Sequence, residues 1–350
     1  MTNRSTRDLF HRKTLNTALH AFSFPTDLET RHQKLENWID RLNAGTLDEI
    51  KEVSLHGNFL NDIFQDVLGY RSIIQSAGKV WEIHAEQTIA NGGGSADAAL
   101  GFFTSNKNNK GKGKIESKII APIELKGSKN DLDRAAPGRK ESAVDQGWRY
   151  ANYTPDCRWI IVSNYRELRL YQTSKTPAYY ERFLLTDLAD LEAFKRFYFL
   201  LCRQNFLPSQ NKPQAVSVID VLLKSSDEAQ EEITKVLYEE YKAIRLNLVK
   251  HFRFAGPQDI PNRDQVLIEK AQKTLDRFLF VAFCEDKGLL PPKTISNAHD
   301  HQDPYNPRPI WERYKAVFRW VDVGNDDPPI PGYNGGLFQL DPILDERLTV

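Results

Sequence analysis

Cysteine, net charge and long apolar runs are all scarce in this sequence, and each scarcity excludes a class of function. Its three cysteines, Cys157, Cys202 and Cys284, stand far apart in apolar surroundings. Such spacing supplies neither a disulfide framework nor a zinc knuckle, so they read as reduced core residues. No run of about 18 apolar residues occurs, and the opening Met1-Thr-Asn-Arg-Ser-Thr-Arg has no apolar signal core. The expectation is a cytoplasmic protein. Lysine plus arginine and aspartate plus glutamate both number 47, a net charge of zero. That balance argues against a protein that coats nucleic acid nonspecifically, but not against one with a locally basic cleft. The eight histidines contain no His-Glu-x-x-His, and their one close pair, His299 and His301, lies in a polar, proline-flanked segment. Gly92-Gly93-Gly94 is not followed by Gly-Lys-Ser/Thr, so no P-loop is present.

What is present describes a globular chain. Apolar residues at 40% and charged residues at 27% allow a packed core under a solvated surface. A length of 350 residues suits two domains or one large one, and the polar stretch 172–178 separates two patterns. Before it, alternation predicts a strand over 80–89 that forms a hairpin with 95–103 around the glycines, then strands over 119–126, 159–164 and 167–171. Helices are expected from the Thr26-Asp27 cap to about Asn43, over 57–68 and over 141–150, after a partly ordered lead-in through residue 26. The fold class read for 1–178 is α/β, a mixed sheet with flanking helices. Beyond it, spaced apolar residues predict helices over 187–204, 216–254 (broken near Ser225-Ser226), 263–286 and 309–323. Residues 179–350 read as an all-α domain, with proline-rich segments at 289–309 and 328–332.

The chain is organised around Ile119-Ile-Ala-Pro-Ile-Glu124-Leu125-Lys126. Strand alternation puts Glu124 and Lys126 on one face and Leu125 on the other. A carboxylate and an ammonium at the end of an apolar strand are costly to bury. Glu-x-Lys alone is more often a solvated ion pair. Two neighbours add weight. Asp97 lies on the strand that follows the glycines, and pairing of the two strands would bring Asp97, Glu124 and Lys126 together. The helix over 141–150 places Gln146 and Tyr150 on one face. Two carboxylates, a lysine and nearby polar groups suit metal-assisted phosphodiester hydrolysis. Two basic clusters flank them: Lys107, Lys110, Lys112 and Lys114 in a low-complexity loop, and Lys129, Arg134, Arg139 and Lys140 just past the central strand.

Asp97, Glu124-x-Lys126 and Gln146-x-x-x-Tyr150 in this order resemble the PD-(D/E)XK nuclease superfamily, in its RecB-like branch. More narrowly, the chain resembles the N-terminal nuclease of single-chain type IIG restriction-modification enzymes. Phe59-Leu-Asn-Asp-Ile-Phe64 with Leu68-Gly-Tyr70, Ala96–Gly101, Ile160–Asn164 and Leu168–Tyr171 fit that match. So do Phe283–Pro291 and Tyr333–Phe338, which resemble the helical connector of those enzymes. The resemblance implies a restriction-endonuclease-like core followed by a connector. It implies Mg²⁺ held by Asp97, Glu124, the Leu125 carbonyl and Glu52, with Lys126, Gln146 and Tyr150 completing the catalytic set, and double-stranded DNA as substrate. Such enzymes continue into a methyltransferase and a target-recognition region. Asp327-Pro-Pro-Ile330 lacks the aromatic fourth residue of a methyltransferase motif, and no cofactor-binding glycine turn precedes it. Those functions are therefore expected in a region or subunit outside these residues. A module that keeps the nuclease fold only to bind DNA or dock a subunit is the alternative.

Overall fold

A computed structural model of the chain describes residues 8–77, 80–89, 93–107, 113–209, 216–333 and 335–348. It begins with helices α1 (Arg12–Ala21), α2 (Leu28–Asn43), α3 (Thr46–Glu49) and α4 (Glu52–Phe59), the last running directly into a π-helical stretch, Leu60–Val67. Strands β1 (Val80–Ile89), β2 (Gly94–Lys107) and β3 (Gly113–Leu125) follow, then α5 (Ala143–Asn152) and strands β4 (Trp159–Ser163), β5 (Glu167–Gln172) and β6 (Glu181–Leu184). Helices α6 (Leu191–Leu201) and α7 (Arg203–Phe206) come next. The six strands lie side by side in sequence order. All neighbours are antiparallel except β3 and β4, which are parallel. A parallel pair needs a crossover, and α5 supplies it. The protein is thus α/β: a six-stranded mixed sheet with flanking helices, followed by a largely helical region.

Strand β4 shows why the sequence folds this way. Trp159 and Ile161 pack into the core shared with α2, α4 and α6, whereas Ile160 and Val162 pack beneath α5. A strand covered on both faces reads as an unbroken apolar run. Helix α5 is started by a reciprocal cap in which the Ser142 hydroxyl accepts from the Asp145 N–H while the Asp145 carboxylate accepts from Ser142. It approaches β4 closely at Gly147, where a Cβ would stand 2.8 Å from an Ile160 methyl. Strand β2 slips one residue against β3 at Leu100/Gly101, and a Cβ on Gly101 would come within 2.1 Å of the Lys118 carbonyl oxygen. Only glycine fits that bulge.

Several expectations need correction. The sheet does not end before residue 172, because β6 adds a sixth strand. It is only four residues long, and its Glu181 is buried, accepting from the Leu9 and Phe10 N–H groups at 3.1 Å, so no alternation marks it. The expected lead-in contains α1. The helix expected from residue 57 begins at Glu52 and passes through Gly57. The long helix α8 (Val218–Ala255) has no break at Ser225-Ser226. Helix α9 (Arg263–Asp286) follows it, and the proline-rich segment after α9 contains α10 (Thr294–Asp300) ahead of α11 (Ile310–Val323).

By compactness the chain forms two units, Met1–Glu231 and Glu232–Val350, so the division falls within α8 and not at residue 178. Strand β6 and helices α6 and α7 belong to the sheet unit because β6 pairs with β5 and α6 packs its phenylalanines into the sheet's core. The helical unit has its own core, with Phe252, Leu267, Val281, Phe318 and Leu344 among its buried residues. No helix among the described residues is long and apolar enough to cross a membrane.

Candidate active site

The β2–β3 register ends with Ala98 opposite Ile123. The next residues, Asp97 and Glu124, are thereby brought opposite each other, and opposed residues of an antiparallel pair share a face. Asp97 Oδ2 accepts the Leu125 N–H at 2.7 Å, which fixes the aspartate against the end of β3. Pairing of β3 with β4 covers Ile123 to Leu125, and the Lys126 N–H donates to the Ser163 carbonyl at 2.8 Å. The Lys126 side chain turns back so that its ammonium bonds Glu124 Oε1. Both residues are buried. Asp97, Glu124 and Lys126 therefore meet, as the strand pairing requires.

Their electrostatics are unbalanced. Burial first, and then the neighbouring Asp97 charge, push the Glu124 carboxyl up to about 7 against the pull of Lys126. Glu124 Oε2 is buried and has no well-formed hydrogen bond among the described residues. The Tyr150 hydroxyl is near enough to feel this carboxylate, and burial together with the Glu124 charge hold its phenol above the ordinary range. Its hydroxyl also favours the ionised Glu124, yet among the described residues no hydrogen bond of good geometry reaches Oε2. Tyr150 otherwise packs with Trp81, Phe103 and Ile119 under the Arg149 guanidinium. Gln146 is brought to the same side but is tied to its own helix, its amide donating to the carbonyls of Ser142 at 3.2 Å and Glu141 at 3.4 Å.

Glu52 reaches the site from α4. Its Oε2 accepts the Gly127 N–H at 2.8 Å, just past Lys126. The structure adds His56, which the sequence reading passed over. His56 Nε2 lies 3.8 Å from Glu52 Oε1, and Nδ1 lies 3.9 Å from Asp97 Oδ1. Each carboxylate thus has one oxygen on a backbone N–H at the end of β3 and the other facing the same imidazole. The spacing of Glu52 and His56, four apart on a helix, was the available signal. Tyr165 is a second addition. Its buried hydroxyl has no partner among the described residues, and burial, then the charges of Glu52 and Asp97, hold it above its ordinary range. Nothing in the sequence beyond its place after β4 marked it.

The polar segment after β3 is firmly held. Ser128 Oγ donates to Asp48 at 2.6 Å, Arg166 Nε donates to the Ser128 carbonyl at 2.9 Å, and Asn164 Nδ2 donates to the Asn130 carbonyl at 2.8 Å. Leu132 is buried with Val144 and Ile160, and Asp133 pairs with Arg169 at 2.9 Å. On this support Lys129, Arg134 and Arg139, with Glu52, Lys126 and Gln146, line a cleft of about 290 Å³. Arg134 pairs loosely with Asp131 at 3.5 Å, and Lys140 is exposed beyond the cleft wall. Asp97 and Glu124 are not on that wall. Of the other basic cluster, Lys110 and Lys112 lie outside the described residues, as do the side chains of Lys107 and Lys114.

Among the described residues no three His, Cys, Asp or Glu side chains are gathered closely enough to hold a metal ion. The site is thus two opposed carboxylates with a lysine on one of them, beside a glutamate–histidine pair. No family model, curated protein or solved structure matches the chain.

Proposed function

We propose that the chain is a Mg²⁺-dependent DNA endonuclease that hydrolyses phosphodiester bonds. In this reading it is a PD-(D/E)XK nuclease module of a type IIG-like restriction-modification system, with a restriction-endonuclease-like sheet unit and a helical connector. One observation carries it: Glu124, buried opposite Asp97, has its carboxyl raised to about 7, with Lys126 on one oxygen and, among the described residues, no well-formed hydrogen bond to the other. A buried carboxylate raised by its own burial and by a neighbouring carboxylate charge is stabilised by a second positive charge.

The donor set fits Mg²⁺ better than zinc. Mg²⁺ is a hard ion that binds through one or two carboxylates and keeps its waters, so it needs no cage of three side chains. Asp97 and Glu124 would hold it, with the Leu125 carbonyl and, from α4, Glu52. Bound there, it would polarise a phosphate oxygen and make a water more acidic. The chain's own residues do the rest. To serve as a ligand Glu124 would be ionised, and its bond to the Lys126 ammonium would open. Lys126, its backbone N–H still donating to the Ser163 carbonyl, would then present its ammonium to the charge that grows on the phosphate. Gln146 and Tyr150 edge the place where the scissile phosphate would lie. Lys129, Arg134, Arg139 and Lys140 would meet backbone phosphates, which position DNA but carry no sequence information. Sequence choice would then come from a methyltransferase and specificity region or subunit.

The closed Lys126–Glu124 pair favours a second reading, a module that binds DNA or docks a subunit without cutting. Nicking of supercoiled plasmid separates the two. The nuclease reading expects nicking with Mg²⁺ and none with EDTA, and Lys126→Ala should lose about 10²–10³ in rate while still binding DNA. DNA binding by the unaltered chain with no Mg²⁺-dependent nicking would leave the second reading.

A further inference from the structure

A cavity of about 940 Å³, larger than the cleft beside Lys126, lies within the helical unit between α10, α11, the loop 301–309 and Pro328. Its walls are largely apolar: Trp320, Val317 and Ala316 from α11, Ala298 from α10, and Pro307 and Pro328. Four charged side chains also line it, and they are not equally engaged. Asp303 accepts the N–H groups of Tyr305 at 2.9 Å and Asn306 at 3.1 Å, and so closes its own loop. Glu312 pairs with Lys315 at 2.5 Å. Among the described residues neither arginine meets a carboxylate. Arg313 Nη1 donates to the His299 carbonyl at 2.7 Å and to that of His301, while its buried Nε has no partner. Arg308 is exposed and forms no ion pair among the described residues. The uncompensated charge at this cavity is therefore positive, beside a tryptophan and proline walls.

We propose that this cavity binds a flat-ringed organic anion of about nucleotide size, with the ring against Trp320 and the anionic group at Arg308 and Arg313. A cavity of this volume with apolar walls and a few convergent polar groups is the ordinary form of a small-molecule site. Indole offers a face for ring stacking, and a guanidinium binds carboxylate or phosphate in a planar fork. The proposal is independent of the nuclease reading.

The test titrates the full chain, in EDTA, with AMP, adenosine and inorganic phosphate by calorimetry and tryptophan fluorescence. AMP should bind one per chain, more tightly than adenosine or phosphate, and quench fluorescence. Arg308→Ala should weaken AMP roughly tenfold, the worth of one charged hydrogen bond. Trp320→Phe should remove the quench, and Arg139→Ala, in the other cleft, should change nothing. No AMP binding at about 1 mM (a free energy near 4 kcal/mol) overturns the proposal. So does binding that survives Arg308→Ala unchanged, or that is lost with Arg139→Ala instead.

Discussion

Replacing Glu124 by Gln should stabilise the sheet unit in alkaline solution and do little in acid. The Glu124 carboxyl sits at about 7 in the folded chain against an ordinary 4.5, because it is buried beside Asp97. At about 1.4 kcal/mol per pH unit, its ionised form costs the fold about 3 kcal/mol relative to the unfolded chain. The sign follows from the raised value. The folded chain holds this proton more tightly than the unfolded chain does, so the group's contribution is full below 4.5 and declines as pH rises through 7. Glutamine imitates the protonated form at every pH. At pH 8 the substitution should therefore raise stability by about 3 kcal/mol, or about 6–12 °C in Tm for a unit of this size. At pH 4.5 the difference should vanish. The assay is thermal unfolding in EDTA at both pH values, followed by tryptophan fluorescence; four of the six tryptophans, Trp38, Trp81, Trp148 and Trp159, lie in the sheet unit. Added Mg²⁺ should then stabilise the unaltered protein at pH 8 and leave Glu124→Gln unmoved. A variant that gains equally at both pH values, or loses at pH 8, would refute the reasoning, since the charge on Glu124 would then not be the cost.

Two other substitutions probe the frame around the site. Glu82 is fully buried on β1 and, although burial opposes it, Arg71 and Arg203 hold its carboxyl below 4.5. Glu82→Gln should cost about 2–4 kcal/mol, because both arginines keep some water while their shared partner is lost; the penalty, read by Tm, should be full near neutrality and fade as pH falls through the folded value. In the cleft, Lys129→Ala with Arg139→Ala should leave Tm nearly unchanged but reduce the slope of log affinity for duplex DNA against log salt by about 2, at about 0.9 per phosphate contact. An unchanged slope would mean that these side chains do not meet phosphate.

The sheet was legible wherever the residue types follow a regular pattern. Val80–Ile89 and Trp159–Ser163 are evident from alternation and from an apolar run, and the long helices from their spacing. What the sequence hid depends on contacts remote in the chain. Strand β6 is short and carries a buried glutamate whose partners are the N–H groups of Leu9 and Phe10, and no local pattern reports them. The unbroken helix at Gly57 likewise follows from tertiary packing, since Leu55, Phe59 and Leu60 are all buried around a residue of poor helix propensity. At the site, strand pairing was enough to predict that Asp97, Glu124 and Lys126 would meet. That Lys126 closes onto Glu124, that Gln146 bonds its own helix, and that His56 stands between Glu52 and Asp97 are matters of side-chain direction. Residue spacing does not determine those.

The central claim is that Asp97 and Glu124 serve a divalent cation in cutting DNA. Asp97→Asn isolates it, because the amide oxygen can still accept from the Leu125 N–H while the charge is gone. Cleavage of supercoiled plasmid in Mg²⁺ by this variant and by the unaltered chain, at matched Tm, is the most direct measurement. The account predicts Mg²⁺-dependent nicking by the unaltered chain and background rates for Asp97→Asn. Nicking that persists in Asp97→Asn would contradict it.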